Sequence, residues 1–174
     1  MTEAAIALWN NYFITIAQVS ATLAGLLFVG LTISLSHVLS SAGYMNRAFV
    51  ALFLQFEMLV IGIFGIVPGQ PAWVVGAEFI VTGLAILTGT SIFAYNFPED
   101  PNSVLGSTGP RTVRRILAWI ATLLPVAAGI GLLFGKPAAL YALIPAEIAS
   151  LYLSIGNAWV FAVEIPRRMK DSAK

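Results

Sequence analysis

From Tyr12 to Ser40 the chain reads YFITIAQVSATLAGLLFVGLTISLSHVLS, with no Asp, Glu, Lys or Arg and a single histidine, His37. So long an uncharged run exceeds the ~20 apolar residues that cross a hydrocarbon core of ~30 Å. Inside that core every backbone donor and acceptor must be satisfied within the segment, which selects a helix. The run is therefore expected to be a transmembrane helix, and it limits the rest of the chain to partners that can live beside it in lipid.

The remainder agrees with that reading. Of 174 residues 59% are hydrophobic and 10% charged, with a mean hydropathy of +0.89; soluble domains carry about 25% charged residues. Four more apolar segments follow, at 47–67, 72–95, 113–134 and 138–165, each long enough to span. Turn-forming residues separate them: SSAGYMN before Arg47, VPGQP, NFPEDPNSVLGSTGP and GKP. No soluble stretch is long enough to form its own core, so residues 1–174 are expected to make one all-α membrane domain of five helices. The links at 67–71 and 135–137 are hairpins, 96–112 is a loop, and 166–174 is a polar tail. With no cysteine, disulfides, thiolate metal sites and cysteine nucleophiles are excluded. A formal net charge of +1 gives no sign of nucleic-acid binding.

Five spans leave Lys136 as the only Lys or Arg on the side of the N-terminus and the two hairpin links. Arg47, Arg111, Arg114, Arg115, Arg167, Arg168, Lys170 and Lys174 all fall on the other side. The positive-inside rule makes that second side cytoplasmic, with the N-terminus outside and the C-terminus inside. The expected location is the cytoplasmic (inner) membrane of a prokaryote.

Three carboxyls lie within the spans, Glu57, Glu78 and Glu147, on the second, third and fifth segments. At 1.5 Å per residue Glu57 is ~15 Å from Arg47 and Glu147 ~16 Å from Lys136, which sets both near the midplane; Glu78 is about 10 Å from the outer end of its helix. Ionisable groups at that depth are costly and mark candidate ion or proton sites. On the fifth segment Glu147, Ser150, Ser154 and Asn157 recur every three or four residues, forming a polar stripe that runs from the midplane inward. Pro145 in the same segment is expected to leave the Tyr141 carbonyl without its helical donor. The second segment has a stripe of small and polar residues that includes Ala51, Gln55, Gly62 and Gly65, with Glu57 about 200° away from Gln55. On the first segment Gln18, Thr22, Gly25, Thr32 and Ser36 form a stripe expected to face protein or water as pore lining or packing seam, because an unpaired amide or hydroxyl in hydrocarbon costs several kcal/mol by transfer estimates.

Each feature has a structural reading as well. A buried glutamate can be protonated and bond a neighbouring helix, and Thr and Gly at helical spacing pack helices closely. No nucleophile elbow, Walker loop, HExxH or dinucleotide fingerprint is present, so no enzyme activity and no cofactor is expected. The reading that accounts for three intramembrane glutamates together is an oligomeric protein conducting or transporting cations or protons, with the bilayer and further copies of itself as partners. The alternative is a non-transporting structural or accessory subunit that uses the stripes for helix packing.

Overall fold

The computed structural model describes residues 2–96 and 111–167, apart from the side chains of 2–4, 94–96 and 111. All regular structure among them is helical. Five helices are long and apolar enough to cross a membrane, as the hydropathy pattern required, and the chain is an integral membrane protein of five-helix-bundle type. Numbering the long helices alone, α1 is Asn10–Ile33, α2 Ala42–Ile66, α3 Ala72–Asn96, α4 Arg111–Leu133 and α5 Leu143–Trp159. Much of the loop expected at 96–112, and the tail beyond residue 167 with its basic residues, lie outside the described residues.

Two boundaries depart from the sequence reading. The run Tyr12–Ser40 is not one helix. It breaks at Ser34, where φ is −109° and ψ 17°, and a short helix Leu35–Ser40 follows. The break has a tertiary cause: the Ser34 hydroxyl donates to the carbonyl of Phe161 at 2.5 Å. Phe161 lies in a π-helical turn, Val160–Glu164, that extends α5. The turn expected from SSAGYMN shrinks to Ser41, the one extended residue between two helices, so α2 begins at Ala42 rather than Arg47. Arg47 consequently sits inside a helix.

The hairpins follow the turn chemistry. Gly69 has φ +73° and Gly135 φ +67°, a region where a side chain would be strained. At the end of α4 the Lys136 N–H bonds the Gly131 carbonyl and the Gly135 N–H bonds that of Leu132, the paired bonds of a Schellman cap. A 3-10 stretch, Pro137–Ala142, then leads into α5. Pro145 falls in the first turn of α5, where backbone donors have no helical acceptor in any case. The Tyr141 carbonyl is not left unbonded there, because it accepts the Leu143 N–H.

Close packing uses the glycines. Phe13 and Ala17 of α1 fit against Gly62 and Gly65 of α2. Gly76 and Gly129 let α3 and α4 touch backbone to backbone: a Cβ on Gly76 would lie 2.7 Å from the Gly129 carbonyl oxygen. α5 packs on α1, α2 and α4, which closes the bundle. One apolar core joins Phe13, Met58, Phe79, Leu132 and Leu143, and a second, around the Ser34 break, joins Leu27, Ala51 and Phe161. Phe28, Val81, Leu123 and Ile148 are among the large apolar side chains exposed on the outside, as a lipid-facing surface requires.

Candidate functional site

α2 and α5 run antiparallel and meet along a buried polar seam. On α5, Glu147, Ser150, Ser154 and Asn157 are all buried, at 7, 0, 0 and 5% exposure. From α2, Gln55 reaches across: its Nε2 donates to Ser154 Oγ at 2.6 Å and to Ser150 Oγ at 3.1 Å. Two turns nearer the basic end of α2, Arg47 Nε donates to Asn157 Oδ1 at 2.9 Å. Arg47 is only 4% exposed. The stripe on α5 thus meets long side chains from one neighbour, and its members below Glu147 have partners.

The glutamates are placed in three different settings. Glu78 is half-buried near the outer end of α3, where Gln70 of the first hairpin donates to Oε1 at 3.0 Å. Glu147 lies toward the same end of the bundle as Tyr12 of α1, which packs against the cluster holding its neighbour Ala146. The Tyr12 hydroxyl and both Glu147 carboxyl oxygens are buried, and no described group bonds them. Around them Trp9 stands edge-on to both Tyr12 and Tyr141, with ring centroids 5.2 and 4.9 Å apart. Glu57 is completely buried and points away from Gln55, toward α3 and α4. A Cβ on Gly83 would lie 2.5 Å from Val126 Cγ2 and 3.1 Å from the Thr122 carbonyl oxygen, so glycine there lets α3 and α4 approach closely, and Glu57 Oε1 would stand 3.4 Å away, at ordinary contact distance. No described group bonds either Glu57 oxygen. Among the described residues no three His, Cys, Asp or Glu side chains are grouped to hold a metal ion, so the carboxyls do not form a shared cation cage.

A cavity of about 420 Å³ opens at the basic end. Asn46, Arg47, Thr90, Arg114, Arg115 and Asn157 supply its polar lining, and Thr122 is its deepest residue on α4. Thr122 is two turns above Arg114, about 12 Å along the helix. Gly83 has both the Thr122 carbonyl and the Glu57 carboxyl as neighbours, so the cavity reaches the level of Glu57 without being lined by it.

The stripe of the first segment lies on the outside of the chain. Gln18, Thr22, Gly25, Thr32 and Ser36 are all exposed, and they face away from the other four helices. The Thr22 hydroxyl bonds the Gln18 carbonyl and that of Thr32 the Phe28 carbonyl, both at 2.8 Å, so these hydroxyls are satisfied inside their own helix. Shape orients α1 instead. Its buried side carries Phe13, Ile16, Ser20, Leu27 and Gly30, the residues that fit the grooves of α2 and α5.

Arg47, Arg114 and Arg115 read from sequence as boundary charges, whereas in the structure they line the cavity. A signal was present for Arg47: it lies four residues before Ala51 and eight before Gln55, on the face that meets α5. Tyr12, treated as the start of an apolar run, carried no comparable signal. Compared with known proteins, the chain matches no family model, no curated protein and no solved structure.

Proposed function

We propose that this chain transfers protons across the membrane, with Glu147 and Glu57 as stations that gain and lose a proton in turn. The observation that carries the reading is the pair of buried intramembrane carboxyls whose four oxygens no described group bonds. A bare carboxylate there is expensive, and a proton neutralises it with one group. A divalent cation is commonly held by several carboxylates, and no three His, Cys, Asp or Glu side chains are grouped among the described residues. Of the cations or protons expected from the sequence, this favours protons. Tyr12, packed against the cluster that holds Ala146, supports an outer approach to Glu147, and the cavity that reaches Thr122 supports an inner one toward Glu57. The arginines at that inner mouth repel metal cations and leave proton exchange with water possible. In this reading the chain is a non-enzymatic, homo-oligomeric protein of a prokaryotic inner membrane.

A second reading, an accessory subunit that docks on another membrane protein or another copy, is favoured by the outward stripe on α1. An exposed Gln18 amide in lipid gains by pairing across a helix interface.

Purified protein in liposomes under a potassium diffusion potential, with a pH-sensitive dye inside, tests the first reading. Proton flux is expected from the native chain. Glu147→Gln and Glu57→Gln should each lower it about a hundredfold, the scale on which a positioned acid or base matters to proton transfer. Folded protein without flux, or variants that conduct normally, would overturn it.

A further inference from the structure

The cavity at the basic end, besides offering an inner approach, has a polar lining that proton transfer does not require. We infer that it binds the phosphate of an anionic lipid whose headgroup carries hydroxyls, with the lipid entering from the side of the bundle.

Consider first the charge. Arg47, Arg114 and Arg115 converge on one space from two helices, with no Asp or Glu among its described lining residues. The Asn157 bond to Nε fixes the plane of the Arg47 guanidinium, which suits it to a tetrahedral oxyanion. Arg47 and Arg114 both make further interactions in the chain, so the inference rests on convergence of charge and on a built, buried wall. Basic pockets between helices at the cytoplasmic side of a membrane are where lipid phosphates are held.

Next consider the neutral groups, which decide what the phosphate is attached to. Thr90, Ser91 and Thr122 line the same cavity, and each spends its hydroxyl proton on a carbonyl of its own helix: Ile86, Leu87 and Ala118. Their oxygens can therefore only accept from a ligand. Asn46 adds another acceptor, since the residue is 7% exposed and no described group bonds its Oδ1. A wall of acceptors around a basic centre matches a phosphate carrying hydroxyl donors, as in a glycerol headgroup. A quaternary ammonium headgroup has no such donors to offer.

Finally, the shape points to a lipid rather than a soluble ion. At about 420 Å³ the space is far larger than inorganic phosphate needs and falls in the range of pockets for small organic molecules. Its rim includes Trp119, 62% exposed on the outer surface of the bundle, so the opening is lateral. A neighbouring groove of about 360 Å³ approaches the same Arg47, Arg114 and Asn157 from the side of α5, between Tyr152, Ile155 and Trp159. Apolar walls flank the arginines on both sides, and two exposed tryptophans stand at the depth where indoles favour the interface.

The inference does not depend on proton transfer, because lipid binding is measured without a pH gradient. Purified protein in a neutral detergent would be titrated with phosphatidylglycerol, phosphatidylcholine or glycerol 3-phosphate. Thermal unfolding and native mass spectrometry would serve as the readouts. Phosphatidylglycerol alone should raise the melting temperature and remain as a bound adduct. Arg114→Gln with Arg115→Gln should weaken that binding about five-fold per arginine. Ser91→Trp, which fills the rim and leaves every charge in place, should also block it. Lys136→Gln, at the other end of the bundle, should have no effect.

Three results would overturn the proposal. Equal stabilisation by phosphatidylcholine would make the site an apolar groove indifferent to charge. Displacement of phosphatidylglycerol by glycerol 3-phosphate at similar concentration would make it a site for soluble phosphates. Native affinity in the double arginine variant, with its lipid-free melting temperature unchanged, would remove the arginines from the site.

Discussion

Two stripes of polar residues with the same helical spacing end up on opposite sides of this protein. On α1 and the short helix after it, Gln18, Thr22, Gly25, Thr32 and Ser36 face outward. On α5, Glu147, Ser150, Ser154 and Asn157 are buried against α2. Where their hydrogen bonds go separates them. The α1 threonines bond the carbonyls four residues back, which any helix provides, so their exposure to lipid leaves no donor unsatisfied. Ser150, Ser154 and Asn157 receive bonds from Gln55 and Arg47, long side chains of another helix. A hydroxyl in a membrane helix therefore says little about which way it faces; a complementary amide or guanidinium on the neighbouring helix says much more.

The comparison breaks most readily at its best-anchored point. Asn157→Leu would remove the Oδ1 that accepts from Arg47 Nε at a site 4–5% exposed. It should destabilise the bundle by about 1.5–3 kcal/mol, the range for a hydrogen bond to a charged group. Asn157→Asp should keep most of that stability, since the carboxylate also accepts from Arg47. Unfolding in mixed micelles with increasing denaturing detergent gives both numbers, and a neutral Asn157→Leu would show that the seam is incidental to packing.

Gln55→Leu sharpens the same point at smaller scale. The substitution keeps much of the volume but removes the donor shared by Ser150 and Ser154. About 1 kcal/mol of destabilisation is expected, because hydrogen bonds between membrane helices average less than that and this amide makes two. Double-mutant cycles with Ser154→Ala should recover most of the loss. Additive effects would instead mean that the two residues stabilise the bundle independently.

How much of this was legible beforehand follows from which forces act locally. The five spans and both hairpins could be read from hydropathy and from Gly and Pro, because a backbone in lipid has few other options. The break at Ser34 could not, since its partner is the Phe161 carbonyl, 127 residues away in the chain. Arg47 was legible as a charge but not as a buried one: hydropathy places arginine at an interface and has no way to see the Asn157 that holds it within. The glutamates were found by residue type and depth. That they occupy separate settings depends on helix rotation, which turns Glu57 toward Gly83 and Thr122 while Gln55 on the same helix meets α5.

The smallest expected effect is on the outward stripe, and it bears most directly on the choice between transporter and docking subunit. In a single chain Gln18→Leu removes an exposed amide with no side-chain partner on another helix, so stability should change by no more than about 0.5 kcal/mol. Thr22→Val should change it as little, because the hydroxyl it removes bonds only its own helix. The two substitutions are expected to diverge once a second protein covers the stripe. The Gln18 amide still has donors and an acceptor to give across an interface, whereas the Thr22 proton is already committed to the Gln18 carbonyl. Energy transfer between labelled copies in liposomes, followed as protein is diluted into lipid, separates these cases. A loss of association in Gln18→Leu but not in Thr22→Val would assign the stripe to contacts between copies. Association that survives both would leave α1 facing lipid and turn attention back to the carboxyls inside.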